Sequence, residues 1–472
     1  MSIPDFRKLL GATTDRAVRY LEGLEARPVA ASEDSIEATR GFDVPLQDEP
    51  IEPERVVKQL DEIGSPATTA MAGPRYFGYV VGGSLPAALA ANWLATAWDQ
   101  KTAFASAAPA TTALEQVALK WILDVLGLPV GCAGAFVTGT TVAHITALAA
   151  ARHAVLEKAG WDVEANGLFG APPITVVTGA EAHPSLYKAL GIVGLGRNRV
   201  VQVPADGQGR MRADSLPRIS GPTIVCVQAG NVNTGAFDPI HQIAPPAREA
   251  GAWVHVDGAF GLWARVTPRF AHLAAGIELA DSWATDAHKW LNVPYDSGIA
   301  LVRNADALRR AMAVSAEYLP VAVANPSDYT PEFSRRARGV DIWAAMRSLG
   351  RSGLAELVER NCRQARRFAE GLSAAGFEIL NDVILNQVLV SFGEPNETRR
   401  VIGAIQREGT LWAGDTVWHG LTAMRISVSS WATTDSDIDR SIAAIIRIAR
   451  APAGEGDALT EVPAAHDHRT RR

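Results

Sequence analysis

The stretch TDAHKWLNVPYDSGIALV, residues 285–302, sets Lys289 directly after a histidine and just ahead of an apolar run. A lysine is normally a solvated surface charge. This one closes a run, DSWATDA, that reads as a buried strand, and GIALVR follows as another. Desolvation lowers a lysine's pKa and makes its neutral amine a nucleophile; a lysine that snorkels to the surface carries no such meaning. Working outward, the same kind of run recurs as GAFVT, ITVVTG, RVVQVP, TIVCVQAG and WVHVDGA. Helical segments such as TVAHITALAAARHAVLEKAG and HQIAPPAREAG separate them. Near-continuous apolar strands alternating with helices indicate an α/β protein, its mainly parallel sheet covered on both faces. Ligands of such sheets sit beyond the carboxyl ends of the strands.

At 472 residues, 47% apolar and 20% charged, the chain is too long for one compact core and has material for two. Residues 1–69 read as a helical arm: FRKLLGATTDRAVRYLEGLEAR and PERVVKQLDEIG carry apolar residues at three-to-four spacing. Such segments need another surface, and a partner subunit would supply it. Residues 70–310 read as the large α/β domain, 311–344 as a loop and linker, and 345–450 as a smaller α+β domain. In the last, long helices precede the short strands ILNQVLVSF and AMRISVS. The tail 451–472 is poor in large apolar residues and reads as disordered. Its two histidines read as solvated, and no metal site is expected. A net charge of -6, from 45 basic and 51 acidic residues, calls for neither nucleic acid nor an anionic membrane as partner. Three widely spaced cysteines, a charged amino-terminus and the lack of a bilayer-length apolar run read as a soluble protein of the reducing cytoplasm.

Four strand ends carry polar residues. In VTGTTVAHITALAAAR (137–152), Gly139, Thr140 and Thr141 open a helix. Its free N–H groups and hydroxyls suit a phosphate, or they make an ordinary N-cap. In GAEAHPSLYKAL (179–190), His183 follows a strand, as a structural turn residue or as a face to lay on a flat aromatic ligand. In WVHVDGAFG (253–261), Asp257 closes a buried strand and must be paired. It caps a helix or holds a cation such as a protonated ring nitrogen. Lys289 follows about one helix and one strand later. Together, in this order, these are the needs of pyridoxal phosphate: a helix N-terminus, a carboxylate for the pyridinium, a stacking face and a lysine for the aldehyde.

These motifs resemble the group II pyridoxal-phosphate-dependent decarboxylases, which include the aromatic-L-amino-acid, histidine and glutamate decarboxylases, over residues 50–450. GPRYFGYV, FASAAPATTALE ending at Glu115, AHPSLYKAL, HVDGAFG, DAHKWL, DYTPEFSRRARGVDIW and MRISVSSW have counterparts at similar spacing. The HKW form is nearer the aromatic-type branch. The resemblance implies an aspartate aminotransferase-like, fold type I architecture with a seven-stranded, mainly parallel sheet and a smaller α+β C-terminal domain. It implies pyridoxal 5'-phosphate as cofactor. Lys289 would bond the cofactor aldehyde, Asp257 pair with the ring nitrogen, and His183 stack on the ring. Thr140 and Thr141 would contact the phosphate, with His288 close by. Tyr76, Phe77 and Phe104 would line the substrate side-chain pocket. Tyr329 matches the tyrosine of a catalytic loop that reaches over from the other subunit to protonate Cα, which implies a homodimer with its site at the subunit interface. TGTTVAH, VDGAF and AGNVNTGAFD depart from the commoner family forms. The last lacks a Thr-Thr pair, so Asn231 or Asn233 would serve there. Arg335, Arg336 and Arg338 receive no role beyond a structural or loop-anchoring one.

The expected reaction is decarboxylation of an L-amino acid to an amine and carbon dioxide. Tyrosine rather than phenylalanine at 329 favours the amine over an oxidised aldehyde, by the same resemblance. The aromatic cluster, and the lack of a dedicated basic residue beyond the adjacent Arg75, favour an aromatic side chain as substrate. Two alternatives stand. One is an aminotransferase or carbon–sulfur lyase of the same fold, with Arg425 gripping the substrate carboxylate. The other is a catalytically idle dimeric scaffold, against which the joint presence of Lys289, Asp257, His183 and Tyr329 argues.

Overall fold

Seven of the apolar runs pair into one sheet: β1 (Ala133–Val137), β2 (Thr175–Gly179), β3 (Val201–Val203), β4 (Thr223–Gln228), β5 (Trp253–Asp257), β6 (Ser282–Asp286) and β7 (Gly298–Val302). Their spatial order is β1-β7-β6-β5-β4-β2-β3. Strands β2 to β6 pair in parallel, and β7 runs antiparallel to both β6 and β1. The chain is described by a computed structural model over residues 5–314 and 325–452. Residues 1–4, 315–324 and 453–472 lie outside the described residues, and with the last of these most of the tail that the sequence reads as disordered.

Strands β4 to β7 are buried along their whole length. Cover on both faces is why they read as unbroken apolar runs instead of alternating ones. The helix Thr140–Lys158 packs across β5, β6 and β7. Its Ala143 clusters with Ala135, Ala284 and Ala300, whose small side chains let helix and sheet approach closely. Side chains alternate along a strand, so Trp253, His255 and Asp257 share the face of β5 under this helix. Val254 and Val256 point the other way, into a core that also holds Trp263, Trp283 and Trp290. Burial of each such side chain is worth about 1.5–3 kcal/mol.

A second, antiparallel sheet has the order β10-β11-β9-β8, from β8 (Glu378–Ile379), β9 (Gln387–Ser391), β10 (Gly414–Trp418) and β11 (Leu421–Ser427). The helices Arg338–Ala374, Pro395–Glu408 and Asp435–Arg450 join it around one apolar cluster. The first of these begins at Arg338 and so crosses the 344/345 boundary expected from the sequence. It breaks at Gly350, whose φ of 60° and ψ of -175° no helix contains. Strand β10 escapes the pattern because only Trp418 in it is buried.

The amino-terminal helices Phe6–Glu22, Glu33–Ala38 and Pro53–Ala67 bury no residue of their own. Phe6, Leu10, Val18, Leu21, Val56 and Leu60 are exposed on them.

Candidate active site

The carboxyl ends of β4, β5 and β6 and the turn after β1 close on one cavity of about 250 Å³. Its lining includes Gly139, Thr140, Thr141, His183, Gln228, Asp257, Asp286, His288 and Lys289. The parallel strands deliver these residues because their ends point the same way.

Thr140 and Thr141 stand at the first turn of the helix Thr140–Lys158, where backbone N–H groups lack intrahelical partners. The Thr140 N–H donates to Asp286 Oδ1 at 2.7 Å, and the buried Thr140 Oγ1 has no partner among the described residues. The turn fits because Gly298 of β7 faces Gly139: a Cβ on Gly298 would lie 2.4 Å from the Gly139 Cα. Lys289 sits on the turn after β6, and its Nζ lies 3.2 Å from Asp286 Oδ2. Gly82 packs on that turn so tightly that a Cβ there would fall 1.7 Å from the Lys289 carbonyl oxygen.

Asp257 is buried, and burial pushes its carboxyl up. Contact with His144, then with His183 and Lys289, outweighs that and holds it well below the usual carboxylate range. Its Oδ1 accepts from the Ala259 N–H at 3.2 Å. His183 caps the helix Pro184–Ile192, its Nδ1 accepting from the Ser185 N–H at 3.2 Å; burial pushes its pKa down. His288 is also shifted down, chiefly by burial. Its Nδ1 accepts from the Ser297 N–H at 3.1 Å, and its ring stacks on Tyr295 with centroids 4.2 Å apart.

Lys289, Asp257, His183, Thr140, Thr141 and His288 therefore meet in one place. Six other expected residues lie elsewhere. Tyr76 stacks on Trp412 at 5.1 Å, and Phe77 meets Phe368 edge-on at 5.1 Å inside the core of the second sheet. Both are fully buried, because aromatic rings gain more in that apolar core than beside a solvated cavity. Phe104 is half-buried, with its ring centroid 6.4 Å from that of Phe333. Asn231 spends its side chain on a turn, its Oδ1 accepting from the N–H groups of Asn233 and Thr234. It is absent from the cavity lining, as is Asn233, which accepts from Thr416 Oγ1 at 2.9 Å. Tyr329 packs against its own chain's Ala135, Val137 and Ala143 and does not line its own cavity.

The basic cluster does have partners. Arg335 is buried against Glu115 at 2.5 Å and donates to the Phe136 carbonyl. Arg338 pairs with Asp296 at 2.9 Å, and Arg336 with Asp341 at 3.6 Å. Sequence reasoning missed Asp286, Gln228 and His144. Asp286 was legible: it is a buried strand-end acid like Asp257, three residues before Lys289. The His144 contact with Asp257 was not, since it exists only where the helix crosses β5.

The donor set fits pyridoxal phosphate. The unpartnered Thr140 hydroxyl and the helix N-terminus suit a phosphate, the ionised Asp257 suits a protonated ring nitrogen, and Lys289 lines the same cavity. The model of the pyridoxal-dependent decarboxylase conserved domain matches residues 36–393. The chain belongs to that decarboxylase family. Its cofactor is pyridoxal phosphate and its reaction the decarboxylation of an amino acid. The decarboxylase is 26% identical to tryptophan decarboxylase 1 of Oryza sativa subsp. japonica, over 91% of each chain. It is 28% identical to the aromatic-L-amino-acid decarboxylase of Bos taurus, over 82% of this chain and 84% of that protein. The acidic amino acid decarboxylase GADL1 of Mus musculus is 30% identical over 65% of this chain and 58% of its own length. In fold, the decarboxylase matches the crystal structure of Oryza sativa TDC with PLP and tryptamine at a TM-score of 0.87 and 23% identity, covering 95% of this chain and 98% of that one. Among the described residues no helix is long and apolar enough to cross a membrane.

Proposed function

We propose that this decarboxylase converts an aromatic L-amino acid to its amine, as a cytoplasmic homodimer. The observation that carries the proposal is the convergence of Lys289, Asp257, His183 and the helix start at Thr140 on one cavity. Bound pyridoxal phosphate supplies an electron sink for the bond broken at Cα. The chain's own residues do the rest. Thr140 and Thr141 hold the phosphate, with His288 beside them. Asp257 keeps a proton on the ring nitrogen, and His183 presses its face on the ring. Lys289 supplies the amine that attaches the cofactor. The pocket must hold the substrate carboxylate perpendicular to the ring, where the breaking bond overlaps best with the π system.

Tyr329 is the acid that returns a proton to Cα. What supports it is its motif. It packs away from its own chain's cavity, so it acts on the partner's. Its neighbour Phe104 travels with it: Ala105 N–H donates to Asn325 Oδ1 at 3.2 Å, and Ser327 N–H to the Ala103 carbonyl at 3.1 Å. The exposed apolar faces of the amino-terminal helices, with Trp93, Leu94 and Trp98, support a dimer. Three buried free cysteines support a reducing compartment.

The relatives that act on tryptophan and aromatic amino acids support an aromatic substrate. Among the described cavity-lining residues the only basic ones are Lys289, His183 and His288, all otherwise engaged. Arg425 supports a second outcome. Burial pushes its pKa down, and its Nη1 lies 3.4 Å from Asn233 Oδ1. Such a guanidinium can take a carboxylate, as an acidic substrate or transamination would require.

The test loads purified protein with pyridoxal phosphate and offers the standard L-amino acids. Expected are a visible cofactor band that Lys289→Ala loses, and carbon dioxide with amine from an aromatic substrate. Gas from aspartate or glutamate alone, or keto acid without gas, would overturn the proposal in favour of the Arg425 alternatives.

A further inference from the structure

Beneath the cavity floor lies a polar chain of which only the last member, Asp257, lines the cavity. Trp253 Nε1–H donates to Ser282 Oγ at 2.8 Å. Ser282 Oγ lies 2.8 Å from His255 Nδ1. His255 Nε2 lies 2.8 Å from His144 Nδ1. His144 Nε2 lies 3.4 Å from Asp257 Oδ2, an ion-pair distance, and has no hydrogen-bond partner among the described residues. All of these side chains are buried. Three come from one face of β5, at alternate positions. Ser282 comes from β6, where it is His255's register partner, and His144 from the overlying helix. On a sheet face packed under alanines, such a polar stripe costs desolvation that apolar side chains would not.

The chain has a direction, and one residue sets it. An indole N–H only donates, and a serine hydroxyl has one hydrogen to give. Ser282 accepts from Trp253, and among the described residues His255 Nδ1 is the one acceptor within reach of its own hydrogen, which therefore goes there. That leaves His255 with its hydrogen on Nε2, given to His144 Nδ1. His144 then carries its hydrogen on Nε2 and aims it at Asp257. The reverse arrangement leaves the Ser282 hydroxyl without an acceptor and turns a nitrogen lone pair on the carboxylate. Burial agrees that His255 is neutral, pushing it down to about 3.

We propose that Trp253, Ser282, His255 and His144 are positioning residues: a one-way hydrogen-bond chain that fixes both histidines as the Nε2–H tautomer and holds Asp257 as an ionised acceptor facing the cavity. A hydrogen bond to the charged form favours that form. With the last link always a donor, Asp257 has no cause to take the ring proton for itself. The proposal rests on Asp257 facing the ring nitrogen and extends that role four residues back, to a tryptophan with no contact to the cavity.

The experiment uses full-length protein with ¹⁵N-labelled histidine. In the cofactor-free form at neutral pH, the ring nitrogens of His144 and His255 are expected to show a protonated Nε2 and a bare Nδ1. Trp253→Phe and Ser282→Ala are expected to give mixed tautomers at both. An Nδ1–H tautomer or an imidazolium at either histidine in the parent would overturn the proposal. In the loaded enzyme, His144→Leu is expected to lower kcat by roughly ten- to a hundredfold, with KM nearly unchanged, and to alter the cofactor's visible spectrum. Ser282→Ala, which removes only an oxygen, keeps the test open if His144→Leu fails to fold, and is expected to move spectrum and kcat the same way by less. If Asp257→Asn abolishes activity while both variants keep the parent spectrum and kcat, the chain has no positioning role. If Asp257→Asn itself keeps the parent spectrum and kcat, the role given to Asp257 fails instead.

Discussion

Asp257 on the cavity floor and Glu115 on the helix Pro109–Val125 are carboxylates sealed from solvent, at 5% and 8% exposure, yet their pKa values move in opposite directions. Glu115 is pushed up by burial, against the pull of Arg335. Asp257 is pushed up by the same effect and still ends low. Depth does not separate them; the supply of donors does. Asp257 Oδ1 accepts from the Ala259 N–H, its Oδ2 lies 3.4 Å from His144 Nε2, and two further basic groups stand near. Glu115 has one strong contact: its Oε2 and the Arg335 Nε have no hydrogen-bond partner among the described residues. A structural staple tolerates an incompletely satisfied pair. A carboxylate that must present its charge to a ligand needs a built environment.

The largest effect that could break this contrast is at Asp257. Asp257→Asn is expected to lower kcat on the order of 10³-fold, about 4 kcal/mol of barrier, with the protein still folded at neutral pH. A protein that unfolds while its remaining folded fraction works normally would make Asp257 another staple. At the other region the balance reverses. Arg335→Ala is expected to cost about 3–5 kcal/mol of stability by stranding Glu115, read from urea melts. Pairing Arg335→Met with Glu115→Leu should recover most of that loss, since apolar replacements of a buried pair are often neutral; no apolar residue at 257 should recover activity.

Tyr329 sharpens the contrast, because Arg335 anchors the segment that carries it. Tyr329→Phe is expected to keep cofactor affinity and slow amine release by about 10²-fold, with aldehyde among the products. An unchanged amine yield would confine that whole segment to a structural part.

The smallest effect is in the pH dependence of stability. Asp257 titrates lower folded than unfolded, so its contribution is full above the ordinary aspartate value of about 3.9 and fades as pH falls below it. The stability difference between parent and Asp257→Asn should be level through neutral pH and shrink in acid. Glu115 has the opposite sign: raised on folding, it lowers stability as pH rises past the ordinary glutamate value of about 4.3. Loss of that slope in Glu115→Gln would show the burial penalty directly.

Much of the site was legible before any coordinates. Charged residues at the ends of apolar parallel strands have one common destination, so Lys289, Asp257, His183 and the threonines could be grouped from order alone. Tyr76 and Phe77 could not be placed that way, since an aromatic ring suits a core as well as a pocket. Asn231 was equally ambiguous, since an asparagine side chain caps a turn as readily as it meets a ligand.

By itself the sequence determined the alternation of strands and helices, the family and the polar residues that meet in one cavity, because apolar periodicity and buried charge leave marks along the chain. Only the tertiary structure decided what stands behind those residues. His144 meets Asp257 because a helix crosses β5 at one angle and register. Arg335, just ahead of the helix Arg338–Ala374, meets Glu115 on a helix far away in sequence. Hydrophobic burial is non-directional and can be read from composition, whereas a hydrogen bond needs two atoms at one distance and angle, which only the folded chain supplies.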